Sequence, residues 1–429
     1  MPSPLAALAL LSALTPLAPV PKGGAADNWP QWRGPKNDGH SPVTGLPSKW
    51  SETENVVWKC KVPGPGAGTP CIWGDKIFFT AVGEKALVLV CVGTDGKIAW
   101  EKPIGTGNKA ARNDEGNSAS ASCSTDGERV YAFVGDGSLV AYDFAGAEQW
   151  KVDTVKTYGE FKIQFGAHWS PVLYKGKLYV TLMHRGAQAV VCFDAKTGKE
   201  DWKADRKSDG KGESPDVYTS PFVWEKGDKA ALVVHGNDYC TAHDLKDGKE
   251  LWRVTELNPK AKYNMAWRAV SSPLVTPDLI IVPSCKNGVT VGIDPNTANG
   301  DIAPDDAKKG ELWRIAKDTP DVPCPTLVNG TLFIWKENSN LLAYDAKTGK
   351  KTGELKVTNE RHRASPVYAD GKLIVVGREG TMAVVDPKPQ PEMIGDKIKL
   401  PDTFTASPAV SGGRIYLRGW NHLWAIGTK

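Results

Sequence analysis

The sequence predicts an all-β protein: an eight-bladed β-propeller of four-stranded antiparallel blades, its ring closed by an N-terminal strand. Three observations lead there. A polar turn that ends in tryptophan recurs as "DGKIAW" (95–100), "FDAKTGKEDW" (193–202) and "HDLKDGKELW" (243–252). Proline follows a small residue at Pro70, Pro171, Pro221, Pro273, Pro325, Pro366 and Pro408, and Ser122 takes that place in the second copy. These eight anchors stand about 40 to 52 residues apart, a period that belongs to propellers and solenoids. Finally, the last copy (404–429) stops after three strand-like runs, while "NVVWKCKV" (55–62) stands as an orphan fourth run ahead of the first anchor.

Each element of the repeat follows from its residues. In the copy from 169 to 205, "SPVLY", "KLYVTLM", "QAVVCFD" and "EDWKAD" are short, rich in β-branched and aromatic residues, and bounded by Gly and Asp turns. "YKGK" and "AKTGK" place glycine where a left-handed residue closes a hairpin with a bulge. Four antiparallel strands make one blade, and a tryptophan on the outermost strand can pack against the next blade. Those tryptophans fall at Trp58, Trp100, Trp150, Trp202, Trp252 and Trp313; the sixth and seventh copies ("KTGKKTGELKV", "PKPQPEMIGDKIKL") lack one. With Trp58 on the orphan strand, 55–62 completes the last blade and removes the open edge that would invite aggregation.

The N-terminal residues read differently. Leu5 to Val20 is apolar and small residues Gly23 to Ala26 follow, the pattern of a secretory signal cut near Ala26. Pro16, Pro19 and Pro21 interrupt it, whereas a membrane span needs about 20 apolar residues. No cysteine precedes Cys60, which argues against lipoprotein anchoring. The expected organisation is a signal peptide over 1–26, an N-terminal extension over 27–54 and a single propeller over 55–429. The expected location is periplasmic or otherwise extracytoplasmic, without stable membrane insertion. The 429 residues carry a net charge of +4, so the global charge gives no argument for nucleic acid. Eight cysteines lie scattered, nearly all inside strand-like runs, and read as buried free thiols; a bridge between neighbouring strands, such as Cys60 to Cys91, stays open.

"DAKTGKEDW", "DLKDGKELW" and "DGKIAW" resemble the tryptophan-docking repeat of pyrroloquinoline-quinone (PQQ) propellers, over residues 55 to 429. The repeat is shared by quinoprotein dehydrogenases and by non-catalytic propellers such as BamB of the outer-membrane assembly machinery. The preface "NWPQWRGPKNDGHSP" (28–42) resembles the start of exported bacterial propellers of the second group. For the dehydrogenases the resemblance implies an adjacent Cys-Cys pair over the cofactor and a calcium held by Glu and Asn beside a base Asp. This sequence has no such Cys pair. The acid-rich "DPNTANGDIAPDDAKKGE" (294–311) fails the EF-hand spacing and reads as a solvated loop of the fifth blade. No GxSxG, HExxH or Walker loop occurs, and "GTGNKAARNDEG" (105–116) lacks the strand–helix context of a phosphate loop. No cofactor is expected, and PQQ and calcium are disfavoured.

The functional question therefore moves to the surface. The loops leading into each blade and those joining its second and third strands share one face, here called the lead-in face; the repeated glycine turns lie on the other. On the lead-in face the topology places Arg112, Asn113, His168, Trp169, Tyr218, Trp267, Arg268, Arg361, His362 and Arg363, joined by His184, Arg185, His235, Lys336, Arg378, Arg418, Trp420 and His422. The binding candidates are His168, Trp169, Tyr218, Trp267, Arg268, Arg361, His362, Arg363, Trp420 and His422. Cations and aromatics ringed by variable loops suit an anionic or aromatic ligand or a peptide. Any one of them could instead plug the channel or pair with acids of a neighbouring blade. The expected function is a non-catalytic scaffold for envelope or secreted proteins; the alternative is a PQQ-dependent or saccharide-binding, enzyme-like quinoprotein.

Overall fold

The computed structural model describes residues 27–109 and 116–428. The leader segment 1–26, Arg112 and Asn113 lie outside those residues. Eight antiparallel sheets follow one another along the chain. Blade 3 is representative: Val172–Tyr174, Lys177–His184, Ala187–Asp194 and Glu200–Asp205 pair in sequence order, inner to outer. Its second and third strands are buried along most of their length, because both faces pack on other blades, whereas its outer strand alternates exposed and half-buried residues. The core accordingly lies largely between blades; one cluster joins Tyr131 and Phe133 of blade 2 to Leu178 and Val180 of blade 3.

The ring closes as the repeat count requires. Blade 8 consists of Ala409–Ser411, Arg414–Arg418 and His422–Ile426, and its outer strand is Val56–Lys61, antiparallel to His422–Ile426 with Trp58 opposite Ala425. The seams explain the repeated turn. The indole N–H of Trp150 donates to Ala195 O at 3.0 Å, in the opening turn of the next blade. The ring rests on Gly198, where φ is +69° and an added Cβ would meet Trp150 Cδ2 at 2.6 Å. Glycine is needed there twice over, for the left-handed backbone and for the space. Trp58, Trp100, Trp202 and Trp313 dock the same way on Thr94, Phe144, Leu245 and Ala346. Blade 6 carries Gly353 where the tryptophan would stand, and the turn at Pro389 and Pro391 of blade 7 fills the gap.

Two details differ from the sequence reading. In blade 2 the register pairs Ser124 with Tyr131 as blade 1 pairs Cys71 with Phe78, so Cys123 occupies the proline place and Ser122 the position before it. The insertion 294–311 is more than a solvated loop: Gly300–Ile302 pairs parallel with Glu250–Val254 and gives blade 4 a fifth strand. The N-terminal extension packs on the inner edges of the blades. Trp29 forms a bridge with Ile72 of blade 1, and His40–Ser41 pairs parallel with Val367–Ala369 of blade 7. Between them the buried Arg33 donates to Pro325 O at 2.9 Å and Pro366 O at 2.8 Å. All eight cysteines are buried and free, so Cys60 and Cys91 are not bridged.

Candidate functional site

The lead-in loops of the ring surround a cavity of about 560 Å³. Trp32 of the extension contributes to its lining and packs on Phe222 of blade 4, ring centroids 5.7 Å apart. Next to it runs a belt made by the residue before each anchor. The backbone N–H of Thr69 donates to Ser122 Oγ, that of Ser122 to Ser170 Oγ, that of Ser170 to Ser220 Oγ and that of Ser220 to Ser272 Oγ, at 2.9–3.0 Å. Cys324 N–H to Ser365 Oγ and Ser365 N–H to Ser407 Oγ, both 2.9 Å, continue it. Each hydroxyl satisfies a backbone donor of the neighbouring blade that would otherwise be buried unpaired.

One flank of the cavity is aromatic. Phe165, His168, Tyr218 and Trp267 line it, and the Arg268 guanidinium lies 4.9 Å from the Phe165 ring centroid while pairing with Glu213. The Tyr218 hydroxyl accepts a hydrogen bond from Phe165 N at 3.3 Å, and burial raises its pKa. Burial alone lowers His168 to about 4, so it is neutral at physiological pH. The other flank is charged: Lys286, Asp321, Glu337, Arg361 and Arg363. Glu337 pairs with Lys286, with Arg363 at 3.2 Å and with Arg361 at 3.8 Å. Burial works against its ionisation, but Lys286 and Arg363 outweigh it and hold the carboxyl at about 2. Asp321 goes the other way, raised by burial and by the neighbouring Glu337.

Of the ten candidates, His168, Tyr218, Trp267, Arg268, Arg361 and Arg363 line this cavity. The other four do not. Trp169 is fully buried, donates to Val217 O at 2.7 Å and packs with Phe133 and Phe161 in a seam. His362 is fully buried too, with Nε2 2.9 Å from Thr358 Oγ1, Nδ1 3.1 Å from Val376 O and its ring edge-on to Trp335. Within the loop 361–363, Arg361 and Arg363 reach the cavity and His362 the core. Trp420 stands behind the wall, donating to Thr405 Oγ1 at 3.1 Å, and His422 lies against Asp402 and Trp424. His184 and His235 are buried as well. Among the described residues no group of three or more His, Cys, Asp or Glu could hold a metal ion.

The structure also brings in residues that sequence reading missed: Trp32, Phe165, Lys286, Asp321, Glu337 and the serine belt. For the belt a signal existed, since serine precedes the anchor place in six of eight copies. Nothing local marks Glu337 or Asp321, whose partners come from other blades.

A closed ring of eight four-stranded blades, seamed by tryptophans on glycine turns, is the architecture of the PQQ-repeat propellers. A family model described as outer membrane protein assembly factor BamB matches residues 45–151, 135–301 and 298–389, and the chain belongs to that family. It is similar in structure to BamB from Moraxella catarrhalis, with a TM-score of 0.64 and 14% identity, covering 87% of this chain and 97% of that one. It is similar also to a europium-containing methanol dehydrogenase, with a TM-score of 0.69 and 12% identity over 91% and 89% of the two chains. In sequence it is 31% identical over 83 residues to the lanthanide-dependent methanol dehydrogenase of Methylorubrum extorquens. That match spans 18% of this chain and only 13% of the length of the relative. At these identities the structural likenesses establish the fold. Among the described residues no helix is long and apolar enough to cross a membrane.

Proposed function

We propose that this protein is an exported, non-catalytic propeller of the bacterial cell envelope that binds a peptide or an anionic ligand in the lead-in cavity. The observation that carries the reading is the composition of that cavity. Its aromatic flank and its Lys286–Arg361–Arg363 cluster come from loops that differ from blade to blade, while the opposite face repeats. Export is supported by the leader-like residues 1–26 and by the family to which the chain belongs.

The dehydrogenase relatives favour a second reading, a PQQ enzyme with a metal at the cavity. The residues present fit that group poorly. Glu337 is committed to three cations, Asp321 faces Lys286, Arg268 and Arg363, and no adjacent cysteines occur in the chain. Among the described residues no group of three or more His, Cys, Asp or Glu stands ready to supply the roughly six to eight oxygens that calcium needs.

The test is capture from an envelope fraction with the chain and with its Arg361→Ala/Arg363→Ala variant as baits. Partners recovered by the wild type and lost by the variant are expected; equal recovery by both would remove the cavity from the proposal. Titration with PQQ and calcium, followed by absorbance, is expected to give no saturable change, and saturation would favour the enzyme instead.

A further inference from the structure

Blade 2 breaks the anchor rule: Cys123 stands where the other seven blades carry proline. Across the seam its neighbour is another cysteine. The segments 68–71 and 121–123 run side by side, with Thr69 N–H donating to Ser122 Oγ at 2.9 Å. They are so close that a Cβ on Gly68 would meet Ala121 O at 2.5 Å. Cys71 and Cys123 both turn into the buried cluster between blades 1 and 2, whereas Ile72 turns to the opposite side of its strand. Both thiols are fully buried. Burial first, and hydrogen bonding to Cys123 next, raise the Cys71 thiol well above its ordinary pKa.

The register sets aside the third thiol of that cluster. Phe78 of the second strand pairs with Cys71 on one side and with Cys91 on the other. Cys91 is therefore two strands away from Cys71, about 9.5 Å at the usual strand spacing. A disulfide joins Cα atoms only about 4.4 to 6.8 Å apart. Cys60 belongs to the cluster on the other side of blade 1.

We propose that Cys71 and Cys123 form a disulfide that staples blade 1 to blade 2 when the chain folds in the presence of a disulfide-bearing oxidant. One cysteine thiolate attacks the S–S bond of the oxidant, giving a mixed disulfide and expelling one thiolate. The second cysteine attacks that mixed disulfide and the Cys71–Cys123 bond forms. The oxidant departs as two thiols, holding the two electrons and the two protons that the cysteines gave up. In the finished ring the raised Cys71 thiol resists ionisation, so the exchange belongs to the interval before the two blades pack. Proline and a cross-link stabilise by the same route, since each narrows the unfolded ensemble, and the staple supplies what blade 2 loses with its anchor. It also fixes the stretch of cavity wall formed by Thr69 and Ser122.

The experiment is cell-free synthesis of the full chain in an oxidising glutathione buffer, with a parallel synthesis in dithiothreitol. Each product is unfolded in guanidinium with N-ethylmaleimide, digested and mapped by mass spectrometry. From the glutathione synthesis the peptides holding Cys71 and Cys123 should emerge joined, and the remaining cysteines alkylated. The oxidised ring should melt about 5 °C above the reduced one, and Cys123→Ser should erase that difference. Alkylation of both Cys71 and Cys123 after oxidising synthesis, a bridge that omits either residue, or equal melting of the two products would overturn the proposal. So would an oxidised product that fails to fold where the reduced one succeeds. The mapping uses the unaltered chain, so it decides the pairing whether or not the variant folds.

Discussion

The two faces of the ring use the same strands to opposite ends. On the turn face, Trp58, Trp100, Trp150, Trp202 and Trp313 each donate to a carbonyl of the next blade's turn, in nearly the same geometry. On the lead-in face no such repetition survives beyond the serine belt: one flank is aromatic and the other charged. Every seam must solve one packing problem, so its residues are held to one answer. The loops at the other end of the strands are relieved of that task and can differ. Repetition marks what the fold needs, and its breakdown marks where binding can be built.

The comparison can be broken first at the floor. Arg33 is buried and donates to carbonyls of blades 6 and 7, so Arg33→Ala strands those acceptors and unties the extension. A loss of about 4 kcal/mol in urea unfolding, roughly that of two hydrogen bonds from a charged group, is expected. A seam should be nearly as sensitive. Gly198→Ala drives a methyl into the Trp150 ring as well as straining the backbone, and should cost about 3 kcal/mol. Gly176 is the control: its φ is +75° but nothing lies within 4 Å of an added Cβ. Gly176→Ala should cost only the left-handed strain, about 1 kcal/mol. Equal losses at the two glycines would mean that tryptophan docking adds nothing to the turn.

Titration provides a gentler probe. Burial lowers His168, His184, His235 and His362 to about 4 each. In the unfolded chain they titrate near 6.5. As pH falls between these values the unfolded chain takes up protons that the folded ring refuses, so stability is full above pH 6.5 and drains away toward pH 4. Melting temperature against pH should fall steeply in that window, and His362→Gln should flatten the slope. The smallest effect belongs to the cavity. Asp321 is raised, so its contribution is present below the ordinary aspartate pKa and is lost as pH rises through the folded value. Asp321→Asn should therefore raise the melting temperature slightly at pH 7 and leave it unchanged at pH 3, a gain that scanning calorimetry would detect.

Blade number, ring closure and the docking tryptophans were all legible in the sequence, because each is a periodic demand on residue type. The cavity was legible only in part. Arg361 and Arg363 were found with His362 between them, but Thr358, Val376 and Trp335 take the histidine inward, and a polar triplet does not reveal which member turns away from water. Trp169 carried an aromatic beside an anchor, as Trp267 does, yet one fills a seam and the other lines the cavity. That choice depends on the neighbouring blade, which lies some fifty residues away in sequence. Asp321 is raised by burial and by Glu337, and Glu337 is held down, against its burial, by Lys286 and Arg363, contributed by other turns of the chain. The fifth strand of blade 4 escaped notice because the polar segment around Gly300 has no β-branched alternation to announce it.

The pairing of Val56–Lys61 with His422–Ile426 bears on how the protein comes into being. The strand that fastens blade 8 precedes the other seven blades in the chain, and its partner follows them. Until the two meet, the first blade has no neighbour on one side, and the chain carries two adhesive borders. Ring formation is thus a terminal, all-or-none event with the longest loop closure the fold contains, and it should set the slow phase of refolding.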